Sequence, residues 1–117
     1  MNARRAKTLI ADEMTAYRAA RATGNVGSAW AALERAHIVS QPYLGPHLAS
    51  HWAMLSFAVD QREWREAFGQ IFRLALAPLG SLTGRIPVGN TGRSNVSAFQ
   101  PMPIADDLRA KIDGAAG

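Results

Sequence analysis

The sequence predicts an all-α fold: two stacked antiparallel helical hairpins, then an irregular C-terminal strap and a short final helix. Three observations predict it. Apolar residues recur at i, i+3, i+4 and i+7 through four stretches of residues 1–80. Gly24, Pro42 to Pro46 and Asp60 to Glu63 punctuate those stretches with turn chemistry. After Ser81 the periodicity stops and Gly, Pro, Ser and Asn take over.

The first helix is expected from Asn2 or Ala3 to Thr23. Ile10, Met14, Tyr17 and Ala20 form its inner stripe, widened by Leu9 and Ala16. Gly24 suits the C′ position and Asn25 can cap the next helix. The second helix, Val26 to Ser40, places Val26, Ala29, Trp30, Leu33, Ala36 and His37 on one side, and Pro42 ends it. Gly45-Pro46 then opens a third helix whose stripe is His47, Leu48, His51, Trp52, Leu55, Ala58 and Val59. Asp60-Gln61-Arg62-Glu63 reads as a capping box for the fourth helix. That helix carries Trp64, Ala67, Phe68, Ile71, Leu74 and Ala75 inward and stops near Pro78-Leu79-Gly80.

Residues 81–103 form the strap, anchored by Ile86, Val88, Val96, Phe99, Met102 and Ile104. So long a stretch without regular elements is unusual inside a domain and points to an ordered, functional loop. Residues 104–113 form the last helix, with Asp106 and Asp107 in its first turn.

At 117 residues the chain fits one domain, and 48% hydrophobic with 19% charged residues excludes general disorder. No apolar run approaches the ~18 residues that a membrane span needs. The N-terminal basic residues lack an apolar segment behind them, so a cytoplasmic protein is expected. The absence of cysteine removes disulfides, thiolate nucleophiles and zinc-finger patterns. A net charge of +4 from scattered basic residues makes nucleic acid an unlikely partner.

All three histidines lie between Leu33 and His51, across the turn from the second helix to the third. His47 and His51 are four apart on one helix face, a spacing at which two imidazoles can share a cation. His37 sits in the last turn of the preceding helix, so an antiparallel hairpin turns it toward His47 and brings Glu34 level with His51. Glu34-x-x-His37 is the spacing by which helical bundles aim two ligands inward. Three imidazoles and a carboxylate complete a tetrahedral set for zinc or a similar divalent ion. The other reading is a packed hairpin whose imidazoles only hydrogen-bond, with Glu34 as the partner of His51. A second candidate is Gly89-Asn90-Thr91-Gly92 between Arg85 and Arg93, which suits an anion or the ordering of the strap. Its default explanation is an ordinary turn. No serine lies in a nucleophile context and no glutamate adjoins His47, so enzymatic activity is not expected.

Ala29-Trp30-Ala31-Ala32-Leu33-Glu34-Arg35-Ala36 aligns with Ala67-Phe68-Gly69-Gln70-Ile71-Phe72-Arg73-Leu74 as a weak internal repeat. The hairpin from Tyr17 to Pro42 resembles a tetratricopeptide repeat, which implies paired helices stacking side by side. Leu33-Glu34-x-Ala36-His37-Ile38-x-x-Gln41, His47-x-x-x-His51-x-x-Met54-Leu55, Gly69-Gln70, Pro87-x-Gly89-Asn90-Thr91-Gly92 and Pro101-Met102-Pro103 resemble a second, full-length pattern. It is that of a small bacterial family of single-domain proteins of unknown function. This resemblance implies a helical fold and an association with heavy-metal resistance. The expected function is therefore a small cytoplasmic protein that binds a divalent transition metal, linked to metal resistance or homeostasis. The rival is a helical-repeat interaction module, with a homodimer or another protein as partner.

Overall fold

The computed structural model describes residues 1–83, 88–95 and 100–114. Five helices run in chain order: α1 (Ala3–Ala22), α2 (Val26–Ser40), α3 (Leu44–Asp60), α4 (Trp64–Thr83) and α5 (Asp106–Asp113). There is no strand among the described residues. α1 packs on α2 and α3 on α4, giving two hairpins joined by a narrower α2–α3 contact.

Local chemistry sets the boundaries. Asn2 and Asn25 cap α1 and α2, each accepting a backbone N–H three residues on. Gly24 turns the chain at φ +74°, a left-handed conformation that costs glycine little. α3 begins at Leu44, two residues before Pro46, because a helix interior forbids proline only beyond its unbonded first turn. Asp60 does not cap α4 as the sequence suggests. It closes α3 and pairs with Arg21 of α1, while Arg62, at φ +56°, makes the left-handed turn between the helices. α4 runs past Pro78 to Thr83, so proline removes one hydrogen bond without ending the helix.

One core cluster joins the hairpins: Tyr17, Trp30, Leu33, Met54, Phe57 and Ala67, with small alanines between them. A second joins Ala6, Leu9, Val39 and Leu108, so that α5 closes over α1 and α2. Arg35 fastens this closure by reaching both Glu13 and Asp107.

The inner stripes of α1 and α2 fall close to expectation, apart from exposed Ala16 and Val26. Those of α3 and α4 are rotated. Trp52 and Val59 of α3 are exposed, and Ser50, Met54 and Phe57 are buried in their place. On α4 the reversal is larger: Trp64, Phe68 and Ile71 face outward, and Glu66, Gln70 and Arg73 face inward. The physical reason is the polar interior that these last three residues line.

The strap has turns but no helix or strand over 88–95 and 100–105. Val88, expected as an apolar anchor, is exposed. Met102 N–H donates to the Val88 carbonyl at 3.0 Å, drawing the two described pieces of the strap together. Arg85, Ile86, Val96 and Phe99 lie outside the described residues.

Candidate metal centre

His37 comes from the last turn of α2, His47 from the first turn of α3, and His51 from one turn further along. Pro42 breaks the chain between them, and the hairpin folds the three rings toward one point. They are buried, with 2%, 8% and 3% of their surface exposed. Their Nε2 atoms form a nearly equilateral triangle: His37 to His47 3.1 Å, His37 to His51 3.1 Å, His51 to His47 3.2 Å.

The outer nitrogens fix which atoms carry protons. His37 Nδ1 lies 2.8 Å from the Asn90 carbonyl, which can only accept, so Nδ1 is the N–H. Gln70 Nε2 donates to Glu66 Oε2 at 2.7 Å and to the Gly92 carbonyl at 2.8 Å, spending both of its hydrogens. Its Oε1 therefore accepts from His51 Nδ1 at 2.7 Å. Neutral His37 and His51 thus present bare Nε2 lone pairs to each other. His47 Nδ1 is buried without a hydrogen-bond partner among the described residues. One proton on His47 cannot satisfy all three Nε2 contacts.

Protonating the rings is disfavoured. Burial, then the charges of His51 and His47, hold His37 well below its ordinary 6.5, although the Asn90 carbonyl opposes this. His47 is lowered to about 4 by burial and by His51. His51 is lowered by burial against an upward pull from Gln70, and the Arg73 cation adds to the lowering. At neutral pH the cluster is three uncharged imidazoles, with the Nε2 lone pairs of His37 and His51 facing each other.

The strap completes the surroundings. Gly92 has φ +84°, and a Cβ there would lie 2.8 Å from the His37 ring, so only glycine lets the backbone lie against the imidazole. Gly69 plays the same part on α4, where a Cβ would meet Ser94 Cβ at 2.2 Å. Gln41 Oε1 accepts the Gly89 N–H at 3.2 Å. Glu66 accepts from Gln70, from Arg93 Nε at 2.8 Å and from the Ser94 N–H at 2.9 Å. Burial raises its carboxyl, but these donors outweigh burial and hold it below its ordinary value.

The structure separates the residues that sequence reasoning grouped. His37, His47 and His51 form a set whose nitrogens can reach one ion, and Glu34 is not in it. Glu34 pairs with Arg93 at 3.9 Å, because Arg93 stands over the Trp30 ring among Glu34, Glu63 and Glu66. The Arg93 charge is thereby engaged by carboxylates. Asn90 Nδ2 donates to the Gln100 carbonyl and its Oδ1 accepts the Gly92 N–H, while Thr91 Oγ1 accepts the Arg93 N–H. Arg85 lies outside the described residues.

Sequence reasoning missed Gln70, with Glu66 behind it, and the Asn90 carbonyl as partners of the imidazoles. The signal for the first two was the spacing Glu66, Gln70, Arg73, a polar stripe at helical period on α4. A backbone carbonyl leaves no signal in sequence.

Fold and site together define an all-α protein with a buried cluster of three convergent imidazoles. A family model described as "Protein of unknown function (DUF3703)" matches residues 4–112, and the chain belongs to that family. No curated protein and no solved structure matches the chain.

Proposed function

We propose that the protein binds one divalent transition-metal ion, zinc or a similar borderline cation, through Nε2 of His37, His47 and His51. The observation that carries this reading is the Nε2 triangle with sides of 3.1–3.2 Å. Two imidazoles on a tetrahedral zinc ion, with Zn–N bonds of about 2.0–2.1 Å, hold their nitrogens about 3.3–3.4 Å apart. Bare lone pairs at that spacing repel unless a cation lies among them. A proton is a poor candidate, since burial disfavours every imidazolium here.

The surroundings support the same reading. His37 and His51 each donate their outer N–H to an oxygen, the arrangement that orients metal-bound histidines and raises their basicity. Glu66 reaches His51 through Gln70 and supplies a buried negative charge near the ion. Three protein nitrogens leave one tetrahedral position for a water molecule or another small donor. A site of this kind suits a protein that holds or transfers an ion, in keeping with metal homeostasis or resistance. The rival interaction module with purely structural histidines gives no account of lone pairs that face one another.

The test is elemental analysis of the purified protein, with melting curves before and after chelation. About one ion per chain is expected, with a melting temperature that falls on chelation and recovers on adding zinc, because a ligand of the native state stabilises it. His51→Ala should lose both the ion and the shift. A wild-type chain that takes up no zinc, cobalt, nickel or copper, and melts identically with and without chelator, sinks the reading.

A further inference from the structure

α4 is built inside out. Trp64, Phe68, Ile71, Phe72 and Leu79 are 52–71% exposed, and Ala75 among them is exposed too. At 100° per residue these positions fall within an arc of about 100° on one side of the helix. The opposite side carries Glu66, Gln70 and Arg73, which are buried. α4 is also an edge helix, and its extensive packing is with α3. The molecule therefore presents a continuous apolar stripe about four turns long to solvent, on the back of the helix that supports the imidazole cluster.

We propose that this stripe is the interface between two copies of the chain, α4 packing antiparallel on α4 about a two-fold axis near Ile71 and Phe72. Three observations select a second copy. Five side chains of about 200 Å² each, a little over half exposed, open about 600 Å² of apolar surface per chain. A pair that covered all of it would bury about 1,200 Å², the lower bound of stable interfaces. A two-fold interface must be self-complementary, and no charged residue interrupts this stripe to select a partner of opposite sign.

The third observation is the placement of charge at the helix ends. Arg65 is exposed beside the stripe in the first turn of α4, where the helix dipole is already positive. Antiparallel pairing about that axis sets each Arg65 level with Pro78 in the C-terminal half of the partner's α4 and brings unlike helix ends together. A parallel pair would bring like ends together.

Sedimentation equilibrium of the full chain tests the pairing. The expected mass is twice the 12.6 kDa of one chain, falling to one chain in Phe68→Glu with helical circular dichroism unchanged. A wild-type chain that remains monomeric at about 100 μM, or a folded Phe68→Glu that remains dimeric, overturns the proposal. The chain has no cysteine, so single-cysteine variants report geometry without interference. Under mild oxidation Phe72→Cys should form an interchain disulfide, and Leu79→Cys should do so only when mixed with Trp64→Cys. Efficient cross-linking of Leu79→Cys to itself, or none in Phe72→Cys, also overturns it. These cysteine variants decide the question if Phe68→Glu fails to fold.

Discussion

α3 passes through two interiors of opposite character. At Phe57 it meets Tyr17 and Trp30 edge-on, with ring centroids 5.5 and 5.1 Å away, among Leu33, Met54 and alanines. Two turns earlier, at His51, it meets two more imidazoles, Gln70 and, beyond that amide, Glu66. The first interior follows the ordinary rule that large apolar side chains fill the space between helices. The second buries groups whose desolvation must be offset bond by bond. A chain of this size has little stability to spare, so a polar half-core points to selection for something other than folding. The two interiors should therefore respond oppositely to mutation: the Phe57 side in stability, the His51 side in binding.

The largest expected effect lies on the apolar side. Phe57→Ala removes a ring packed on two aromatic neighbours and should destabilise the fold by about 3–5 kcal/mol. Denaturant unfolding measures this, and the folded fraction should keep its ion stoichiometry. Loss of binding in molecules that are still folded would break the division between the two interiors.

On the polar side, Gln70→Leu keeps the volume but removes the acceptor of His51 and the link to Glu66. Metal affinity should fall by about 10–100-fold, the usual consequence of losing a histidine's orienting partner. Competition with a chelating dye reads this directly, and an unchanged affinity would show that Gln70 does not orient the ligand.

A third expected effect is on the metal-free protein as pH falls. The imidazoles resist protonation in the fold, His47 down to about 4, whereas the unfolded chain takes up protons near 6.5. Below 6.5 the unfolded state binds more protons, so stability should decline as pH drops from 6.5, the His47 share levelling off below about 4. Replacing the three histidines by glutamine should flatten this slope. Melting curves across that range check it, and an equal slope in both proteins would place its origin elsewhere.

The histidines were legible in the sequence because their geometry is local. His47 and His51 share a helix face by spacing alone, and Pro42 forces His37 back beside them. Helix number and hairpin pairing were legible for the same reason, since the turn residues sit where the periodic stretches stop. The orientation of α4 was not. Trp64, Phe68 and Ile71 look like a core stripe in any single sequence, and the polar stripe opposite them, Glu66, Gln70 and Arg73, does not by itself reveal that its partners lie inside. Glu34 was misplaced for a related reason: its spacing from His37 fits a ligand pair, but Arg93, far along the chain, draws its carboxylate away. Long-range charge pairing overrides short-range spacing.

His37 is aimed by a carbonyl 53 residues further along the chain, and Gly92 lies against the same ring. During synthesis, all three imidazoles emerge from the ribosome well before the residues that orient two of them. A nascent chain that ends at α3 holds the donor atoms but neither Gln70 nor the Asn90 carbonyl to aim them. On the proposed reading, tight capture of an ion is a late event, reserved for chains that have carried the strap across to α2.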